Sequence, residues 1–187
     1  MVKIIIAGPK NSGKTSIANF LCGGHTEIGT KTKTYDPTVG CRVLEAECSG
    51  FQVELWDVSG DQSYEKCWPA IMLGVDKKDE GEGADGVILV YNPEQPTHDQ
   101  EVGLWYDQYV KNAGISDKKC LVLVHRSKPD AAYRSRAPPK LENCKLLNST
   151  FSSTSEIREH FEDFLRAVGD KGGFGTGAAG RGIGDRK

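Results

Sequence analysis

The chain has 187 residues, of which 37% are hydrophobic and 27% charged, with a formal net charge of −2. That length suits one ordinary domain with a substantial core and argues against two. A pI near 6.1 excludes a general electrostatic pull on nucleic acid or anionic lipid, and a mean hydropathy of −0.47 without any long apolar run excludes a membrane-spanning segment.

Lys3 to Ala7 is a β-branched run suited to a strand buried on both faces, and the loop "GPKNSGKT" after it opens a helix from about Gly13 to Leu21. Residues 24 to 37 are polar and turn-rich. "CRVLEAECSGFQVELWD" reads as two strands joined at Ser49 and Gly50, the second ending at Asp57. "SYEKCWPAIM" predicts an irregular helical stretch broken by Pro69, and "VDKKDEGEGA" a mobile charged loop. "DGVILVYN" is a continuous apolar strand. The next helix carries a capping box at Thr97 and Gln100, with Val102, Trp105 and Tyr109 on one face. "KCLVLVH" is another buried strand.

Three prolines between His125 and Lys145 leave room for a turn or two of helix at most, before a short strand around Lys145 to Leu147. A second capping box, Ser153 and Glu156, starts a final helix lined by Ile157, Phe161, Phe164, Leu165 and Val168. The expected organisation is a nucleotide-binding domain over residues 1–168 and a disordered Gly-rich tail over 169–187. Strands alternating with helices predict an α/β fold, a mostly parallel six-stranded sheet with one antiparallel strand and helices on both faces. The six cysteines show no zinc or disulfide spacing and read as reduced, mostly buried small hydrophobes. The start lacks a secretory signal or a myristoylation glycine and the end lacks a prenylation cysteine, so a cytoplasmic chain with no direct lipid anchor is expected.

Gly8, Gly13, Lys14 and Thr15 fit the pattern G-x-x-x-x-G-K-[ST] between a strand and a helix. In that context the backbone N–H groups from Asn11, Ser12 and Gly13 through Ser16 turn inward around a phosphate at the positive end of the helix. Lys14 bridges the outer phosphates and the Thr15 hydroxyl binds Mg²⁺. Asp57 supplies the acidic strand end such a site needs, holding Mg²⁺ through water, and Gly60 offers an unobstructed N–H to a third phosphate. In "YDPTVG", Pro37 and Thr38 lie in a flexible segment from which the Thr38 hydroxyl reaches the metal when that phosphate is present. Bland readings stand beside these: a strand-ending turn residue for Asp57 and an edge threonine for Thr38.

The phosphate loop, a Thr-Val-Gly ahead of a hairpin, "WDVSG" and "GADGVILVYN", in this order, resemble the Ras superfamily, above all its Rab branch, over roughly residues 2 to 168. The finer pattern, with "CWPAIM" and "LVLVHRSKP", resembles the Rab-like small GTPases of the intraflagellar transport B complex. The resemblance implies a Ras-like P-loop NTPase fold binding GTP or GDP with Mg²⁺. It also implies coiled-coil partner subunits in that complex, and residence in cytoplasm, basal body and cilium or flagellum.

Relatives place Gln directly after the DxxG glycine to orient the attacking water; here Asp61 stands there and Gln62 follows. An ionised Asp61 cannot donate a hydrogen bond and adds negative charge where the transition state accumulates it, so hydrolysis should be slow unless Gln62 or a partner supplies the missing group. The N-K-x-D element of relatives is replaced by His125, Arg126, Ser127, Lys128 and, beyond Pro129, Asp130. His125 either contacts a purine or ends the strand without a ligand; Lys128 and Asp130 either meet the base or are solvated charges. Ser149, Thr150 and Phe151 stand where relatives carry S-A-K and offer backbone N–H groups to the base. Trp68 is either an interface anchor or a packing residue. Four functions fit these residues: a nucleotide-dependent binding module, a self-resetting GTPase switch in vesicle or ciliary traffic, a P-loop kinase using ATP, and a scaffold with permanent nucleotide.

Overall fold

The computed structural model describes residues 1–29, 36–73, 83–129 and 137–169. Most of the charged loop at 75–84, the base-reading expectation for Asp130 and the tail beyond Gly169 lie outside the described residues.

The elements run β1 (Val2–Ala7), α1 (Lys14–Cys22), β2 (Cys41–Cys48), β3 (Phe51–Val58), α2 (Trp68–Leu73), β4 (Gly86–Tyr91), α3 (His98–Tyr106), β5 (Cys120–Arg126), β6 (Lys145–Thr150) and α4 (Thr154–Gly169). They build one six-stranded sheet in the order β2-β3-β1-β4-β5-β6. Only β2 runs antiparallel, paired with β3 through the hairpin; Ser49 at φ 50° and Gly50 at φ 81° make the tight turn that both left-handed residues allow.

Side chains alternate across β1, so a strand of unbroken apolar character feeds two cores. Ile4 and Ile6 pack with Ile17, Phe20 and Leu21 of α1 and Phe161, Phe164 and Leu165 of α4. Ile5 and Ala7 face the other layer, with Trp68 and Ile71 of α2 and Val102, Trp105 and Tyr109 around α3. Trp105 is the hub of that second layer, with ring centroids 4.7 Å from Trp68 and 6.1 Å from Tyr109. Trp68 therefore packs α2 onto α3, which decides between its two readings in favour of the core. No helix among the described residues is long and apolar enough to cross a membrane.

Four local expectations are corrected. Pro69 does not break the segment: a 3-10 turn over Gln62–Cys67 ends there, and Pro69 sits in the first turn of α2, where its missing N–H costs nothing. Thr97 is the N-cap of α3 but its side chain makes no capping hydrogen bond, because its backbone is already helical at φ −96°, ψ −17°. The Ser153 hydroxyl accepts from the Thr150 N–H at 3.1 Å, serving the turn after β6. Of the cysteines, only Cys120 and Cys144 are buried, since Cys22, Cys41 and Cys48 lie partly covered toward the β2 side and Cys67 is exposed in the 3-10 turn.

Candidate functional site

The loops that leave the carboxyl ends of β1, β3, β4 and β5 enclose a cavity of about 770 Å³, the end of a parallel sheet at which ligands gather. Its floor is the loop between β1 and α1. The loop curls because Asn11 adopts φ 55°, which Asn tolerates, and Gly13 adopts φ 95°. Lys14 is buried inside the curve, its Nζ donating to the Pro9 carbonyl at 2.6 Å. Burial pulls its ammonium down to about 8, against the upward pull of the Asp57 charge. Asn11, Ser12, Gly13, Thr15 and Ser16 all line the cavity, and Pro37 closes its side.

At one wall, three side chains singled out from sequence meet. Thr15 Oγ1 lies 2.8 Å from Thr38 Oγ1 and donates to Asp57 Oδ2 at 2.9 Å, while Thr38 Oγ1 is 3.5 Å from the same oxygen. Asp57 is fully buried and its Oδ1 has no partner. Sequence reading missed the fourth member. Arg42 Nη2 and Nε donate to Asp57 Oδ2 at 2.9 and 3.2 Å, and Nη2 also donates to Asn19 Oδ1 at 3.0 Å. The only signal for it was register, since Arg42 stands directly opposite Asp57 across the β2–β3 ladder.

Gly60 abuts the phosphate loop so closely that a Cβ there would lie 2.5 Å from Lys10 N. Only glycine permits that approach. Asp61 Oδ2 meets Lys10 Nζ at 2.9 Å, and this ammonium, with the Ser63 N–H behind it, holds the carboxyl down to about 2. Gln62 is exposed in the 3-10 turn and does not line the main cavity. With Lys10, Asp61, the N-cap Thr97 and the α3 residues His98 and Glu101 it borders a smaller depression of about 380 Å³.

At the opposite end His125 is buried, with Nδ1 3.1 Å from Ser149 Oγ and Nε2 unpartnered. Its ring packs against Gly13, where a Cβ would come within 2.6 Å of His125 Cδ2, and edge-on against Phe151 at 4.7 Å. Burial pushes the imidazole down to about 4, so it is neutral near pH 7. His125 and Phe151 line the cavity; Ser149 lies beneath His125 and supports it. Thr150 instead bonds Ser152 Oγ at 2.9 Å, and Lys128 is exposed and outside the lining. Asn92 and Gln95, unmarked from sequence, line the same end because they follow the carboxyl end of β4, and Ser127, tied to Glu94 at 2.9 Å, joins them.

The family model described as Ras of Complex, Roc, domain of DAPkinase matches residues 3–129. Intraflagellar transport protein 22 homologs of Danio rerio and Homo sapiens are 36% and 37% identical, each covering 89% of this chain and 89% of the relative. The chain belongs to the intraflagellar transport protein 22 family. A crystal structure of Trypanosoma brucei IFT22/74/81 bound to GTP superposes with a TM-score of 0.73 at 31% identity, covering 90% of this chain and 95% of that one. The GDP-bound T. brucei IFT22 structure gives a TM-score of 0.64 at 26% identity, over 91% and 97%. The six-stranded sheet with one antiparallel strand is thus the Ras-like arrangement the resemblance implied, and intraflagellar transport protein 22 is the branch it pointed to. These relatives favour neither the ATP-using kinase nor the vesicle-traffic switch.

Proposed function

We propose that this chain is a small guanine-nucleotide-binding subunit of the intraflagellar transport B complex. The curl of the Asn11–Ser16 loop and the buried Lys14 would hold the phosphates of the nucleotide, and His125 and Phe151 would meet its base. The observation that carries the reading is the convergence of the Thr15 and Thr38 hydroxyls on Asp57 beside the buried Lys14 at the cavity wall.

The same cluster fits Mg²⁺, because two hydroxyls and a buried carboxylate with one unpartnered oxygen form a hard, oxygen-only donor set. Bound there, Mg²⁺ would neutralise phosphate charge. The side chains' own part is to bring the Thr38 segment from one side and Gly60 from the other against the phosphate loop, so that a third phosphate favours one arrangement of both. Val39 and Val43, 76% and 47% exposed, flank Thr38 and Arg42 and give an apolar edge whose shape follows the nucleotide. On this reading that edge meets coiled-coil subunits of the complex in cytoplasm, basal body and cilium. Asp61 at the water-orienting position makes hydrolysis slow; Gln62, exposed, reaches the phosphates only if the 3-10 turn moves.

Chromatography of the nucleotide released from purified, denatured protein tests this directly. GTP or GDP is expected; stoichiometric adenine nucleotide would overturn the base assignment.

A further inference from the structure

Asp57 is the buried carboxylate at the wall where Thr15 and Thr38 meet, and its nearest basic side chain is Arg42. Both contacting nitrogens of the guanidinium reach the same oxygen, Oδ2, which also receives the Thr15 hydroxyl. The arginine is not there by chance of rotamer alone: cross-strand register sets it opposite Asp57, and Asn19 of α1 holds its Nη2 from behind. Its side chain is 41% exposed, so the head group has solvent on one side and a route to leave.

We propose that Arg42 is a built-in counter-cation for Asp57, which neutralises the carboxylate when no metal is bound and opposes metal when one is. The inference rests on the nucleotide and Mg²⁺ reading above and deepens it. A guanidinium stays charged at every relevant pH and supplies donors to the carboxylate that a divalent ion would otherwise polarise. A divalent ion held by Thr15, Thr38 and Asp57 would face that positive charge across one carboxylate, whether it met the unpartnered Oδ1 or displaced the guanidinium from Oδ2, and either would cost part of the metal's binding energy. Without metal, the same guanidinium keeps Asp57 and, through it, both hydroxyls in place. The consequence is a nucleotide site less sensitive to Mg²⁺ than the same site would be without the arginine.

The test compares GTP affinity in saturating Mg²⁺ and in EDTA for the full-length wild type, Arg42→Gln and Arg42→Lys. Gln keeps a hydrogen-bond donor but not the charge. The expected result is an EDTA-to-Mg²⁺ ratio of dissociation constants about tenfold or more higher in Arg42→Gln than in wild type, with Arg42→Lys close to wild type. The nucleotide-free Arg42→Gln protein should also melt earlier in EDTA and recover on addition of MgCl₂ alone, a shift a remote structural role would not produce. If Arg42→Gln does not fold, Asn19→Ala serves instead, since it releases the guanidinium from its rear anchor with the charge kept, and the ratio should rise by about threefold. A ratio equal in wild type and Arg42→Gln overturns the inference while leaving the metal site standing. No Mg²⁺ effect in any of the proteins overturns the metal reading and this inference with it.

Discussion

Lys10 Nζ lies 2.9 Å from Asp61 Oδ2, so an ion pair joins the phosphate loop to the residue after Gly60. The pair is half-exposed and contributes little to stability, but it holds the Asp61 carboxyl below the usual carboxylate range, so that it is ionised near neutral pH. A carboxylate there accepts hydrogen bonds and donates none, the wrong character for orienting water against a phosphate. Single-turnover phosphate release from GTP by the wild type should fall below the roughly 10⁻⁴ s⁻¹ of an unassisted Ras-type site. Asp61→Gln should raise it by about tenfold or more; no change would mean that another group limits the reaction.

Lys14 is the one phosphate-loop cation within the curl, and burial brings its ammonium from 10.5 to about 8. Between pH 8 and 10.5 the unfolded chain holds this proton more than the folded chain does, so the nucleotide-free fold gains stability as pH rises through that window. Phosphate affinity moves the other way, because the neutral amine no longer attracts the anion. GTP affinity should drop by roughly fivefold between pH 8 and pH 9. Titrations of Lys14→Met should be weaker throughout and lack that drop.

How far a sequence exposes such a site depends on how local the geometry is. The curl of the β1–α1 loop and the positions of Asp57 and Gly60 were legible because each follows from a short pattern between a strand and a helix or at the end of a strand, and Thr38 was singled out from the turn-rich segment ahead of β2. The doubly buried β1 and the apolar face of α4 were legible for the same reason, as periodicity alone sets them. Arg42 was not, because its meaning comes from an eight-pair antiparallel register that brings it opposite Asp57, and "CRV" by itself is an ordinary edge strand. The roles of Ser149 and Trp68 depend on packing between distant segments, His125 in one case and Trp105 in the other. Lys128 shows the limit in the other direction: its type suits a base contact, and it stands exposed beyond the end of β5, outside the cavity lining.

His125 and Gly13 constrain each other across the cavity floor. Gly13→Ala puts a Cβ 2.6 Å from His125 Cδ2 at a φ of 95°, and should cost about 2 kcal/mol or more in chemical denaturation. Removing the ring with His125→Ala should relieve part of that, leaving the backbone strain, for a coupling of about 1 kcal/mol in a double-mutant cycle. Strict additivity would show that ring and loop do not touch in solution.

The same histidine sets an acid limit. Its folded value of about 4 lies below the ordinary 6.5, so the unfolded chain takes up a proton first as pH falls through this window and stability declines. His125→Asn should flatten the slope of unfolding free energy between pH 6.5 and 4; an unchanged slope would assign it to other groups.

Trp68 packs at 4.7 Å on Trp105 and 5.9 Å from Tyr109, and only 5% of it is exposed. Trp68→Ala should therefore cost about 3 kcal/mol or more by denaturant unfolding. A loss confined to partner binding, with stability intact, would return it to the surface role.

Every role proposed for the site requires the curled loop and Lys14 to hold phosphate oxygens of a guanine nucleotide. Isothermal titration of GTP in Mg²⁺ into nucleotide-free, folded protein is the most direct measurement. Saturable heat from GTP, abolished by Lys14→Ala and absent or much weaker with ATP, is the predicted result. A folded wild type that gives no heat with GTP, or that binds it equally after Lys14→Ala, would contradict it.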